Sequence, residues 1–232
     1  MIKIIAQLNK LASDTVFPPV CVNCKSSIPD QKQFLCQSCF DEIRLNSALY
    51  CPKCMSRLPG TDKCHDTSYV LAPASRFEAP IPSLIHTFKY KKIEGIGTIL
   101  CAMLISYLKE TGIDLSRYVI TFVPLHKSKF RARGFNQAQI IASVVSDYFS
   151  LPCLDVLKRV KNNPPQAKTK DFSERIKNIS ECFQITGPES VSGKNIILID
   201  DVSTSGATLN EISLLLKKYG AQKIIGLVVA KA

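Results

Sequence analysis

The stretch Asn195-Ile-Ile-Leu-Ile-Asp200-Asp201-Val202-Ser203-Thr204-Ser205-Gly206-Ala207-Thr208-Leu209 leaves this chain few folds to choose from. Consecutive apolar residues do not suit a half-exposed strand, in which residues alternate. They suit a strand buried on both faces, as in a parallel sheet covered by helices. Two acids and a small, hydroxyl-rich loop follow. Apolar positions then resume at helical spacing over residues 207–219 and stop at Gly220. The same alternation recurs nearby. Residues 119–124 read as a buried strand, 136–149 as a helix with apolar residues at 140, 141, 144, 145 and 148, and 223–230 as another strand. Strands with continuous apolar runs separated by helices are the pattern of βαβ units, so the predicted class is α/β, a parallel sheet flanked by helices.

The pieces of this segment also have a chemical use. A carboxylate pair, Asp200 and Asp201, at the C-terminal tip of a parallel strand lies where open α/β sheets bind ligands, and it can accept hydrogen bonds from vicinal ribose hydroxyls. The N–H groups of residues 204–208, at the positive end of a helix, can encircle a phosphate. Gly206 permits close backbone approach, and Ser203, Thr204, Ser205 and Thr208 offer hydroxyls. A plain helix cap needs one such hydroxyl, with no acid pair before it.

Ten cysteines add a second constraint, and seven of them lie between Cys21 and Cys64. Cys21-x2-Cys24 and Cys36-x2-Cys39 form two knuckles whose four thiolates complete a closed tetrahedral zinc site. Iron–sulfur or redox-active pairs are the alternatives that soft ligands allow. Cys51, Cys54, Cys64 and His65 form a second set. Its last two members are adjacent in sequence, and its alternative is a ribbon held by packing alone. So small a module needs such a staple because it buries too little apolar surface by itself. Cys101, Cys153 and Cys182 stand among apolar neighbours and read as buried thiols. The start of the chain lacks the apolar run of a secretory signal. The longest apolar stretch, 96–108, is interrupted by Gly97, Thr98 and Ser106 and falls short of the ~20 residues of a membrane span. The expected compartment is therefore the cytoplasm, where paired cysteines usually hold metal.

Patterning changes near residues 76–80, from a Cys-, Pro- and Ser-rich region with little regular periodicity to long apolar strands and amphipathic helices. Charge is uneven as well. The formal net charge is +11, and residues 126–177 carry eleven basic and four acidic groups, a net +7. Such an excess points to a polyanionic partner. Lys127, Lys129, Arg131 and Arg133 sit close together with Phe130 and Phe135 interleaved, and two uses compete for them. They would neutralise a pyrophosphate leaving group beside magnesium, or track the phosphates of a single strand while the aromatics stack on bases. Residues 158–170, broken by Pro164-Pro165, read as a mobile basic loop followed by Arg175 and Lys177. His126 alone is not read as catalytic, and His86 reads as a partly buried structural residue.

The segment IILIDDVSTSGATL resembles the 5-phosphoribosyl-1-pyrophosphate motif of type I phosphoribosyltransferases, with Ser205 where the commonest version has Thr. Together with the knuckles, residues 122–126, Arg131-Ala-Arg133-Gly134-Phe135-Asn136-Gln137, Leu84-Ile-His86-Thr-Phe-Lys89-Tyr90, Gln166, Arg175, Asn178 and Phe183, it resembles the ComF family of competence and DNA-uptake proteins over nearly the whole chain. The resemblance implies an N-terminal helix and zinc-ribbon domain over 1–78, a type I phosphoribosyltransferase fold over 79–232, and a role in natural transformation. It implies that Asp200 and Asp201 hold ribose hydroxyls, and that Ser203, Thr204, Ser205, Gly206, Ala207 and Thr208 cradle the 5-phosphate. Pro124, Leu125, His126 and Lys127 would receive pyrophosphate with Mg2+. Lys127, Lys129, Arg131, Arg133 and Arg175 would contact DNA or pyrophosphate. The implied partners are single-stranded DNA, phosphoribosyl pyrophosphate or a nucleotide, and competence helicase or recombination-mediator proteins. Relatives often carry a further Cys-x2-Cys where this chain has Cys64-His65. The alternative is a housekeeping phosphoribosyltransferase acting on a nitrogenous acceptor that nothing in the sequence names.

Overall fold

A computed structural model describes residues 19–29, 33–62, 64–91, 94–161 and 182–232. The chain packs as two compact units, one of residues 1–44 with 78–99 and one of 45–77 with 100–232.

In the first unit, an antiparallel bridge between Val20 and Ser27 folds the chain back through the first knuckle. A short helix α1 (Gln37–Asp41) follows Cys36 and buries Cys39. Helix α2 (Ile81–Lys91) buries Ile81, Leu84, Ile85 and Phe88, the spacing of a single apolar stripe. His86 lies on its exposed side, with its ring 4.8 Å from that of Tyr90, so the expectation that it is partly buried fails. Helix α3 (Glu94–Thr111) belongs to the second unit from Leu100 onward.

The second unit is built on a sheet of β1 (Leu49–Tyr50), β2 (Arg57–Leu58), β3 (Val70–Arg76), β4 (Tyr118–Phe122), β7 (Asn195–Ser203) and β8 (Ile224–Lys231). These six strands lie in the order β2-β1-β3-β8-β7-β4. The β3–β8, β8–β7 and β7–β4 pairs are parallel, and the β1–β2 hairpin adds antiparallel strands beside β3. The predicted parallel sheet is therefore present. Ile196, Ile197, Leu198 and Ile199 are all buried, as an apolar run between two helical layers requires. Among the described residues the unit's α-helices are the rest of α3, α4 (Lys127–Arg133), α5 (Gln137–Phe149) and α6 (Ala207–Lys218). Strands β5 (Leu157–Arg159) and β6 (Phe183–Ile185) form a separate antiparallel ribbon.

Several local expectations need correction. Lys158 and Arg159 are not in a loop: Lys158 pairs with Gln184 within the β5–β6 ribbon, held there by the buried Val156, Leu157 and Phe183. The remainder of that predicted loop, with Gln166, Arg175 and Asn178, lies outside the described residues. Cys101 and Cys182 are buried, but Cys153 is exposed. It makes a single bridge to Ile120 on the outer side of β4, where, among the described residues, no further strand covers it. Among the described residues, no helix is long and apolar enough to cross a membrane.

Candidate functional site

The two acids end β7, whose strand geometry runs on to Ser203. Asp201 is buried, Asp200 is half-buried, and the Asp201 N–H donates to Asp200 Oδ1 at 2.8 Å. Thr204 and Ser205 are exposed, Thr208 half-buried, and Gly206 takes φ +76° as the cap of α6. A Cβ at Gly206 would also lie 2.9 Å from the hydroxyl of Tyr69, so both backbone angle and space call for glycine. The side chain of Ser203 is buried, and among the described residues its Oγ has no hydrogen-bond partner. An unpaired buried hydroxyl is costly, and a bound oxyanion would satisfy it.

The predicted pyrophosphate turn leaves the neighbouring strand. Phe122 is in register with Ile199, and the Val123 N–H donates to the Ile199 carbonyl at 2.9 Å. The turn after β4 and the acids after Ile199 thus emerge at the same end of adjacent strands, about 4.8 Å apart. Asn136 fixes the turn from below: Nδ2 donates to the Val123 carbonyl at 3.0 Å, and Oδ1 accepts from the Ala138 N–H at 3.1 Å. Nδ1 of His126 accepts from the Ser128 N–H at 3.2 Å, which makes His126 the cap of α4.

Lys127, Lys129 and Arg131 are exposed on α4. Arg133 is half-buried, with Nη1 donating to Gln137 Oε1 at 3.2 Å. Beside the turn is a cleft of about 320 Å³ whose lining includes Pro124, Leu125, Lys127, Phe130, Asp155 and Arg159. Arg159 and Asp155 were not among the residues singled out from sequence. A further residue missed there is Glu211 on α6. Burial pushes its carboxyl up to about 7, against the pull of the Cys182 N–H and the Arg159 charge.

Both cysteine sets converge. The ligand atoms of Cys21, Cys24, Cys36 and Cys39 lie within 4.8 Å of one another, and so do those of Cys51, Cys54, Cys64 and His65. Tetrahedral zinc–thiolate bonds of about 2.3 Å place neighbouring sulfurs about 3.8 Å apart. The Cys24–Cys36 and Cys54–Cys64 Sγ pairs are each 3.6 Å apart, and His65 Nδ1 lies 3.2 Å from Cys64 Sγ and 3.5 Å from Cys51 Sγ. Adjacency of Cys64 and His65 therefore does not prevent both from reaching one centre.

The knuckles also share a turn. Lys25 and Met55 adopt φ 67° and 59°, and the Cys21 and Cys51 N–H groups donate to the Ser26 and Ser56 carbonyls at 2.8 and 2.9 Å. The Ser26 and Ser56 hydroxyls and N–H groups hold the Cys24 and Cys54 thiols down at about 6. Asn23 pulls the Cys39 thiol down, but burial and the three other thiols push it up to about 12. Cys51, burial and Cys54 raise Cys64 to about 11. Four sulfurs crowded until some resist ionisation are a site that a divalent cation relieves.

A parallel sheet ending in an acid pair and a hydroxyl-rich loop, preceded by two four-donor knuckles, defines a phosphoribosyltransferase-type domain with a double zinc ribbon. Residues 132–232 match the phosphoribosyl transferase domain family, and residues 12–68 match the double zinc ribbon domain family. Competence protein F of Haemophilus influenzae is 27% identical over 88% of this chain and 93% of its own length. DNA utilization protein YhgH of Escherichia coli is 26% identical over 88% and 87%, and competence protein ComFC of Bacillus subtilis is 28% identical over 83% and 80%. The chain belongs to the ComF family.

Proposed function

We propose that this chain binds phosphoribosyl pyrophosphate, or a nucleotide with the same 5-phosphate, at Asp200–Thr208, and single-stranded DNA on its cation-rich surface, in the uptake and processing of transforming DNA. The observation that carries the first half is the conjunction of Asp200 and Asp201 at a strand tip, the unpaired Ser203 hydroxyl and the left-handed Gly206. The acids accept from the ribose hydroxyls, and the amides of 204–208 and the hydroxyls of Ser203, Thr204, Ser205 and Thr208 hold the phosphate. Pro124, Leu125, His126 and Lys127 receive the pyrophosphate. Magnesium, which favours carboxylate and phosphate oxygens, would be held between the pyrophosphate and the acids and offset their charge.

For DNA, exposed Lys127, Lys129 and Arg131 beside half-exposed Phe130 supply the cations and the stacking face that a single strand uses. Arg133 and Arg175, the latter outside the described residues, are the further cations we assign to the strand or to pyrophosphate. The names of the relatives, competence and DNA utilization, support this role. Such a role would be carried out in the cytoplasm, with competence helicase or recombination-mediator proteins as partners. Zinc is held structurally by Cys21, Cys24, Cys36 and Cys39, and a second ion by Cys51, Cys54, Cys64 and His65. The functional modules are the zinc-ribbon region, 1–78, and the phosphoribosyltransferase-like region, 79–232.

The intact acid pair also favours a second reading, a housekeeping phosphoribosyltransferase. Its acceptor nitrogen would bond to the anomeric carbon as the bond to pyrophosphate breaks, with Asp200 and Asp201 positioning the sugar as its positive charge develops. Pyrophosphate release with a nitrogenous acceptor separates that reading from binding alone.

For DNA, Arg131→Ala with Arg133→Ala should weaken strand binding and lower the slope of log affinity against log salt by about 1.4, at ~0.7 for each phosphate that is no longer neutralised. An unchanged slope places the DNA surface elsewhere.

A further inference from the structure

The segment that leaves the second knuckle meets the proposed phosphate loop on its way into β3. After His65 come Asp66, Thr67, Ser68 and Tyr69; one bond stiffens this segment, and two further observations tie it to β7, β8 and α6. The Thr67 hydroxyl donates to the Tyr69 carbonyl at 2.9 Å, which stiffens the segment. The Ser68 hydroxyl donates to Asn210 Oδ1 at 2.9 Å, on the first turn of α6. The Tyr69 side chain is buried, and its ring and hydroxyl meet two glycines. A Cβ on Gly226 would lie 2.9 Å from the ring, and one on Gly206 would lie 2.9 Å from the hydroxyl and 3.9 Å from Ser203 Oγ.

The knuckle reaches the same tyrosine from its other arm. Tyr50 is in antiparallel register with Leu71, so Cys51, the next residue, comes to the level of Val70, the neighbour of Tyr69. Burial, and after it the charge of nearby Cys51, pushes the Tyr69 phenol up to about 12.

We infer that Tyr69 is a positioning residue for the phosphate loop, and that the Ser68–Tyr69 segment couples occupancy of the second metal knuckle to anion binding at residues 203–208. This rests on the phosphate-site reading above. The ring fills the space that the two glycines leave open, which fixes how near the loop backbone can approach the sheet. Metal at Cys51, Cys54, Cys64 and His65 fixes where that ring stands. Coupling between two binding events is reciprocal, so a phosphate ligand at the loop must tighten metal at the knuckle by the same factor.

The test uses the full chain loaded with zinc, phosphoribosyl pyrophosphate with magnesium as the probe, and two readouts: ligand affinity by calorimetry and zinc release to a colorimetric chelator. In the wild type, saturating ligand should slow release of one of two zinc ions about five- to tenfold. In Tyr69→Leu that protection should vanish and ligand affinity should fall about tenfold, with two zinc ions still bound. Tyr69→Phe keeps the ring and should stay within about threefold of wild type in both. Cys54→Ser should lose one zinc and about tenfold in ligand affinity, and release of its remaining zinc should ignore the ligand. Should a variant not fold, the wild-type release experiment decides alone. Ligand binding with unchanged zinc release overturns the coupling and leaves the phosphate site standing. A wild-type protein that binds no ligand overturns both.

Discussion

Residue by residue, Cys21–Ser26 and Cys51–Ser56 are the same turn, with the same left-handed residue after the second cysteine, the same backbone bond from the first cysteine to the serine, and the same serine beside the second thiol. Their surroundings differ. The first knuckle is completed by Cys36 and Cys39 around helix α1 and is braced by Asn23, whose Nδ2 donates to Cys39 Sγ at 3.3 Å and whose Oδ1 accepts from Ser83 at 3.0 Å. The second has Lys53 where the first has Asn23, uses one imidazole, and sits on a hairpin hydrogen-bonded to the sheet that carries the proposed phosphate loop. A metal turn is a transferable unit, and what it does is set by the element it is attached to. The first belongs to a small unit, whereas the second is built into the sheet that carries residues 200–208, the proposed ligand site.

That contrast can be broken in several places. The largest effect should come from Cys39→Ser. Structural zinc in such modules contributes about 10–16 kcal/mol of binding free energy to folding. Loss of one buried ligand should therefore drop zinc content from two to one per chain and open residues 33–44 to proteolysis, while phosphoribosyl pyrophosphate affinity stays within about twofold. A large loss of ligand affinity in this variant would erase the distinction between the knuckles. Next is Gly206→Ala. A left-handed alanine costs about 1 kcal/mol, and its Cβ would crowd the Tyr69 hydroxyl at 2.9 Å. Ligand affinity should fall more than tenfold by calorimetry with both zinc ions retained.

Asn23→Ala should be milder. Hydrogen bonds to metal ligands are worth about 10–100-fold in affinity, so chelator competition should find the first zinc weakened by about tenfold and the second unmoved. Equal weakening of both would mean that the brace is not local.

The smallest effect concerns the second unit alone. Glu211 is raised by burial to about 7 from an ordinary 4.5, so between those values the folded state holds the extra proton. Stability is greatest below the lower value, falls as pH rises between them, and is flat above. The side chain is half-exposed, and solvent screening reduces the effect to about 1 kcal/mol. Glu211→Gln should be more stable than wild type by that amount at pH 8 in urea titrations and equal to it near pH 4. A pH-independent difference would show that the carboxyl does not titrate there.

Local features were the legible ones. The acid pair, the loop and the opening of α6 are contiguous, so strand, turn and helix signals fall in one short window. The first zinc set was equally plain, because x2 spacing needs no knowledge of the fold. In the second set, the adjacent Cys64 and His65 left packing as an alternative until Nδ1 of His65 was seen to reach both Cys51 and Cys64.

Strand β3 escaped notice because Pro73 interrupts its apolar run, and a proline argues against a central strand. It is tolerated because β1 pairs with β3 only at Leu71, which leaves β3 without a ladder partner on that side at Pro73. Tyr69 looked like one more core aromatic. Its place beneath Gly206 exists only once β3, β8 and β7 are neighbours, and no local pattern encodes that order. The pairing of Lys158 with Gln184 was hidden in the same way.

The central claim is that residues 200–208 form a phosphoribosyl site. The direct measurement is a calorimetric titration of the zinc-loaded chain with phosphoribosyl pyrophosphate and magnesium, set beside Asp200→Ala with Asp201→Ala. The account predicts saturable one-to-one binding by the wild type and none by the double variant at the same concentrations. Equal affinity in the two proteins would contradict it.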